Sequence, residues 1–244
     1  MIRQYSLMLL SLVAAGCLYS QSDHATRLAA QTSSLPVAVV REYVEMEQRQ
    51  LFETLLAEFG RNKELPEGFE LQALVALSHF PELKNTRIRF IVDDVDIPLS
   101  SRPYWASMLR SAGMRTYLVV IDSERDGERD EVLLKRQPFN AQIGIIGHEL
   151  AHTVYYLDRS FFGIINDALC QLSDCRVNFE RQTDRRTVEY GLGWQRFDHS
   201  VFIRTSRGLD PMAEPNSAST YLGPPELLNI MEADPAYRAT FSQL

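Results

Sequence analysis

Hydrophobic and polar positions divide the chain into stretches of different period. In PVAVVREYVEMEQRQLFETLLAEFG (36–60), apolar residues recur at helical spacing between an initial proline and a terminal glycine, which predicts a helix. PEGFELQALVALSHF (66–80) reads as a second helix, limited by Pro81. The period then shortens. RIRFIVDDV (87–95) alternates and is rich in β-branched residues, as a strand does. TYLVVID (116–122) is a continuous apolar run that suits a central strand. The charged SERDGERD (123–130) predicts a turn or exposed loop, and EVLLKR (131–136) a third strand near an edge, because of its charges. A buried helix follows from about Asn140 to Leu157, and another helical segment from about Asp174 to Tyr190, stopped by GLG (191–193). The tail holds a proline-rich loop, LDPMAEPNSASTYLGPPE (209–226), and a short helical ending. The expected fold is α+β: a small twisted mixed sheet packed on the buried helix, with a helical N-terminal part.

The buried helix contains a contradiction. GIIGHELAHTVYYL (144–157) is almost uniformly apolar, yet carries His148, Glu149 and His152, which are costly to bury without partners. HELAH is an HExxH pattern. Residues four apart share a helix face, so His148 and His152 can present imidazole nitrogens to one ion, with Glu149 beside them in reach of a water. Zinc, one ion per chain, suits such a set, because it takes two imidazoles and a carboxylate and leaves one position open. A second helix offers the carboxylate: in NFERQTDRRTVEYGLG, Glu180 and Asp184 are again four apart. The 27 residues between His152 and Glu180 allow a turn and an antiparallel return. Glu180 is then the third ligand, and Asp184 accepts a hydrogen bond from a ligand histidine and fixes its tautomer. Asp158 occupies the place of a third ligand in HExxHxxGxxH/D patterns, but Tyr155 replaces the glycine needed for the turn. His24 and His79 have no partners at metal spacing.

HELAH followed by E-R-Q-T-D resembles the gluzincin metallopeptidases, in the branch that pairs an HExxH helix with an ExxxD helix; the resemblance covers about residues 85–200. It implies a zincin-like fold, zinc held by His148, His152 and Glu180, Glu149 as catalytic base, and Asp184 supporting a ligand. It also implies a β-edge before the HExxH helix along which an extended peptide lies, a place that EVLLKR occupies here. Thr183 stands where the family often has alanine, and the membrane-spanning helices of other members are absent. No residue matches a family position for transition-state stabilisation; His199, Tyr190 and Tyr221 are the polar groups that can donate to an oxyanion.

Composition and the N-terminus place this chemistry. With 244 residues, 45% of them apolar, the chain suits one domain with extensions, and a net charge of −7 argues against a nucleic-acid partner. MIRQYSLMLLSLVAAGC has Arg3 and then an apolar run from Leu7 to Ala15, too short to span a bilayer but suited to a signal peptide. AAGC (14–17) resembles the lipobox of bacterial lipoproteins, which implies lipidation of Cys17; an ordinary secretory signal cut near Ser20 is the other reading. Lipidation leaves Cys170 and Cys175, either as a disulfide or as two buried thiols. The expected organisation is a signal peptide (1–16), a tether (17–35) and a single metallopeptidase-like domain (36–244), with a helical part (36–85) and a zinc-site core (86–244). The expected protein is exported to the bacterial cell envelope, anchored to a membrane by lipid, and hydrolyses an extended peptide or protein substrate. Two alternatives remain open: a zinc-binding lipoprotein without turnover, and a zinc hydrolase of a non-peptide, cell-wall amide.

Overall fold

The computed structural model describes residues 38–93, 99–122, 132–170, 175–214 and 219–242. The signal segment with Cys17, the tether with His24, the loop 123–130 and the side chain of Cys170 lie outside the described residues.

The fold is mixed α and β, with mostly helical content and an open sheet of four strands in the order β1-β2-β4-β3. Helices α1 (Glu45–Gln50) and α2 (Phe52–Phe59) lead into β1 (Lys63–Glu64), α3 (Glu70–Ser78) and β2 (Arg87–Asp93). Strands β3 (Leu99–Pro103) and β4 (Thr116–Asp122) complete the sheet. Six residues of β4 are buried in succession, as its apolar run requires, and it lies between β2, parallel to it, and β3, antiparallel. β2 buries Ile88 and Phe90 in alternation. Helix α4 (Phe139–Leu157) follows, then α5 (Phe161–Cys170), α6 (Cys175–Thr187), a π-turn over Val188–Leu192, α7 (Gly193–Ser206), α8 (Pro224–Ala233) and the short α9 (Arg238–Phe241). The main core joins α3, the sheet and α4 through Leu71, Val75, Ile88, Val119, Ile143 and Leu150. Among the described residues no helix is long and apolar enough to cross a membrane.

Three expectations about elements are corrected. The helix expected from Pro36 starts at Glu45 and is interrupted at Leu51 (φ −93°, ψ 0°). Before it, the backbone is held by side chains: Asn140 accepts from the Tyr43 N–H at 2.8 Å and donates to its carbonyl at 2.9 Å, and Gln195 donates to the Val40 carbonyl. The described part of EVLLKR (132–136) is not a strand; it turns into a 3-10 helix at Leu134–Arg136. Gln137 and Gln142 donate to the carbonyls of Val132 and Leu134, which a strand would offer to its neighbour. The edge strand beside α4 is instead β3, of sequence LSSRP, whose Ser101 hydroxyl lies 2.9 Å from the Thr153 hydroxyl. Finally, GLG interrupts the helical segment as expected, but α7, a helix not expected from the sequence, starts directly after the turn. Gly191 adopts φ +82°, a conformation that a side chain strains.

Candidate metal centre

Helix α4 is set deep by close packing. A Cβ on Gly144 would stand 2.1 Å from the Gln195 carbonyl oxygen, so the absence of a side chain lets α7 cross α4 almost backbone to backbone. One turn later, His148, Glu149 and His152 are all buried. Helix α6 returns alongside and buries Glu180, Thr183 and Asp184. The two i, i+4 pairs therefore face one another.

His148, His152 and Glu180 form a buried group whose ligand atoms lie within 4.8 Å of one another, and such a group can hold a metal ion. Glu180 Oε2 is 3.1 Å from Nε2 of both His148 and His152. The far side of each ring is fixed. His148 Nδ1 lies 2.8 Å from Asp184 Oδ1, which can only accept from it while ionised. His152 Nδ1 lies 3.2 Å from the Thr183 hydroxyl, which donates its own proton to the Phe179 carbonyl at 3.0 Å. Both Nδ1 atoms are thereby assigned as donors, and in the neutral rings both Nε2 lone pairs face Glu180 Oε2. Three acceptors at such separations need a cation or a proton between them. Ligand atoms about 2.0–2.2 Å from a shared ion stand roughly 3–3.5 Å apart, which the 3.1 Å spacings match.

The charges agree with this arrangement. Burial opposes ionisation of Glu180, but His152 and His148 outweigh it and hold the carboxyl well below the usual range. Burial also opposes charge on His148, yet Asp184 and Glu180 raise its pKa to about 9. A raised proton affinity means that a proton and a metal compete for His148. Asp184 is fully enclosed; against the effect of burial, Arg196 and His148 bring it down to about 2. The Arg196 Nε donates to Asp184 Oδ1 at 2.6 Å, and the Leu222 N–H donates to Oδ2 at 2.8 Å. Glu149 differs from both carboxylates: burial raises its pKa, and its Oε2 is buried with no hydrogen-bond partner.

The other residues singled out in the sequence fall as follows. Tyr221 packs its ring edge-on to His148 at 5.7 Å, beneath the Arg196 guanidinium, and is 40% exposed. Its hydroxyl pKa is raised by burial and by the charges of Glu180 and Glu149. His199 bonds Gln137 Oε1 through Nδ1 at 2.7 Å; burial, then Arg196 and His148, depress its pKa well below the ordinary value. The Tyr190 hydroxyl donates to Glu82 at 2.9 Å, and its carbonyl accepts from His79, so this residue is engaged in the fold. Asp158 is exposed at the end of α4 and is not part of the buried group. Cys175 is disulfide-bonded.

Sequence reasoning missed Arg196, the Leu222 amide and the roles of Phe179 and Gln137. Phe179 stacks on the His152 ring with centroids 4.9 Å apart. A stacking position was legible in outline, because Phe179 and Thr183 are four apart and share the helix face that meets His152. Arg196 carried no local signal, since only the turn at Gly191 brings α7 back to Asp184. No protein-family model, curated protein or solved structure matches the chain, so the site is read from its own residues.

Proposed function

We propose that the protein is a zinc-dependent peptidase of gluzincin type, with zinc held by His148, His152 and Glu180. The observation that carries this reading is Glu149. A site that only holds the fold together has no use for a buried carboxylate with an unpartnered oxygen beside its ligands, since such a group costs stability. A general base has this character: desolvation raises its proton affinity towards the working range.

When bound, zinc supplies Lewis-acid polarisation of a carbonyl and lowers the pKa of water towards 7. The chain's own residues do the rest. Glu149 accepts the proton of the attacking water and later gives it to the leaving amine. Asp184, itself held by Arg196 and the Leu222 amide, fixes His148 with Nδ1 as donor, and Thr183 does so for His152. Tyr221, on the rim beside His148, is the favoured donor to the developing oxyanion. The outer edge of β3, next to α4, is the proposed track for an extended substrate, whose backbone would extend the sheet. We place this activity in the bacterial cell envelope, with a lipid anchor at Cys17; lipid labelling of wild type against Cys17→Ser tests the anchor, and equal labelling would remove it.

The deciding experiment is hydrolysis of a peptide library by zinc-loaded wild type and Glu149→Gln, matched for metal content, with a cell-wall amide as a parallel substrate. Wild type should cleave peptides, and Glu149→Gln should retain zinc and lose cleavage by at least about 100-fold. A Glu149→Gln variant as active as wild type would refute the mechanism, and cleavage of the cell-wall amide alone would reassign the substrate.

A further inference from the structure

The connection from β3 to β4 exposes large apolar side chains that the metal centre does not use. Trp105 is 59% exposed, Leu109 87%, Met114 50% and Tyr104 40%. Phe162, at the start of α5, is 80% exposed and belongs to the same end of the molecule. Arg115 ties the two segments together by donating to the Arg159 carbonyl at 2.6 Å, and Met108 packs in one cluster with Ile164 and Phe161. A side chain as exposed as Leu109 projects from the surface and lines no groove.

The charge here is opposite to that of the chain. Residues 99–116, LSSRPYWASMLRSAGMRT, contain three arginines and no acidic residue, in a protein of net charge −7. Arg102 and Arg110 are exposed beside the apolar group, and Arg87, also exposed, donates to the Met114 carbonyl. Asp158 is an exposed acidic group on the neighbouring end of α4. Arg115 is buried, but exposed Trp, Tyr, Leu and Met side chains flanked by the exposed Arg102 and Arg110 are what inserts at a lipid interface: the rings and chains enter the headgroup boundary and the guanidinium groups meet anionic phosphates. A second copy of the same basic surface would bring arginines against arginines.

We infer that the lobe at residues 104–114, with Phe162, docks on an anionic lipid surface through Trp105, Leu109 and Met114, with Arg102 and Arg110 meeting the headgroups. This contact is separate from any lipid on Cys17, and it would hold the α4 end of the molecule against the membrane.

The two tryptophans make it readable. Trp194 is 1% exposed, so a change in tryptophan emission on adding vesicles reports Trp105. The experiment adds phosphatidylcholine vesicles, with or without about one-third phosphatidylglycerol, to the full chain and to two double variants, Arg102→Gln/Arg110→Gln and Leu109→Ser/Met114→Ser. All three keep the N-terminal apolar segment, so that segment cannot account for a difference between them. Anionic vesicles should shift the wild-type emission to the blue, and neutral vesicles should do so far less. One basic residue at an anionic surface is worth about fivefold in partitioning, so Arg102→Gln/Arg110→Gln should bind about twenty-five-fold more weakly. Leu109→Ser/Met114→Ser should lose the shift while keeping its fold by circular dichroism. No shift with anionic vesicles overturns the inference, as does an equal shift with neutral ones. A shift that depends on protein concentration without vesicles, with a dimer mass in sedimentation, would assign the lobe to a second copy and overturn it too.

Discussion

Thr183 gains a role from the helix that it faces. At this position, where the gluzincin pattern that the sequence resembles often has alanine, its hydroxyl accepts from His152 Nδ1 and donates to the Phe179 carbonyl, which fixes the tautomer of a candidate ligand. Thr183→Val keeps the shape and removes the hydroxyl. It should weaken zinc by about tenfold in a competition titration, within the usual range for a group that orients a ligand, whereas Thr183→Ser should stay close to wild type. Equal affinity in the valine variant would deny Thr183 this role. At this scale the two i, i+4 pairs were legible, because a helix alone puts His148 with His152 and Glu180 with Asp184 on common faces. Arg196, the Leu222 amide and the Thr183 bond were not, since each depends on which helix the fold brings back to the site.

Stretches buried along their length predicted their elements, whereas 36–60, whose helices bury no residue, was read as one helix and is two. The apolar run of β4 and the pattern of α4 come from burial on many neighbouring positions, which leaves a strong mark on the sequence. LSSRP leaves none: it is a strand because β4 offers it a partner and Thr153 accepts it. EVLLKR carried strand-like residues but no alternation, and the glutamines that take its carbonyls lie further along the chain. The crossing of α4 and α7 is the contact most sensitive to a single atom. Gly144→Ala drives a Cβ into the Gln195 backbone, where no rotamer change relieves it. Overpacking of this kind costs about 1–3 kcal/mol, so the urea midpoint of Gly144→Ala should fall and its zinc affinity with it. An unchanged midpoint would show that the helices can separate without loss.

Over the whole molecule, a buried histidine remote from the ligand trio links stability to pH. His79 donates through Nδ1 to the Tyr190 carbonyl at 2.7 Å, and its Nε2 accepts from the Tyr43 hydroxyl at 2.6 Å, which joins the N-terminal segment, α3 and the turn before α7. Burial lowers its pKa to about 4, below the value of about 6.5 in the unfolded chain. The unfolded state therefore binds the proton first. The contribution of His79 is complete above pH 6.5 and is lost as pH falls towards 4, on the order of 3 kcal/mol in all. Denaturation midpoints of wild type and His79→Gln between about pH 7 and pH 4.5 should converge as pH falls; parallel curves would mean that His79 is not the group responsible.

Every role proposed for this site depends first on whether the buried trio holds a metal. Elemental analysis of the purified full chain, with Glu180→Ala beside it, tests that directly. One zinc per wild-type chain is expected, with its loss in Glu180→Ala, because two imidazoles alone leave the ion without the carboxylate that faces both. A metal-free wild type after zinc loading, or undiminished zinc in Glu180→Ala, would contradict the account.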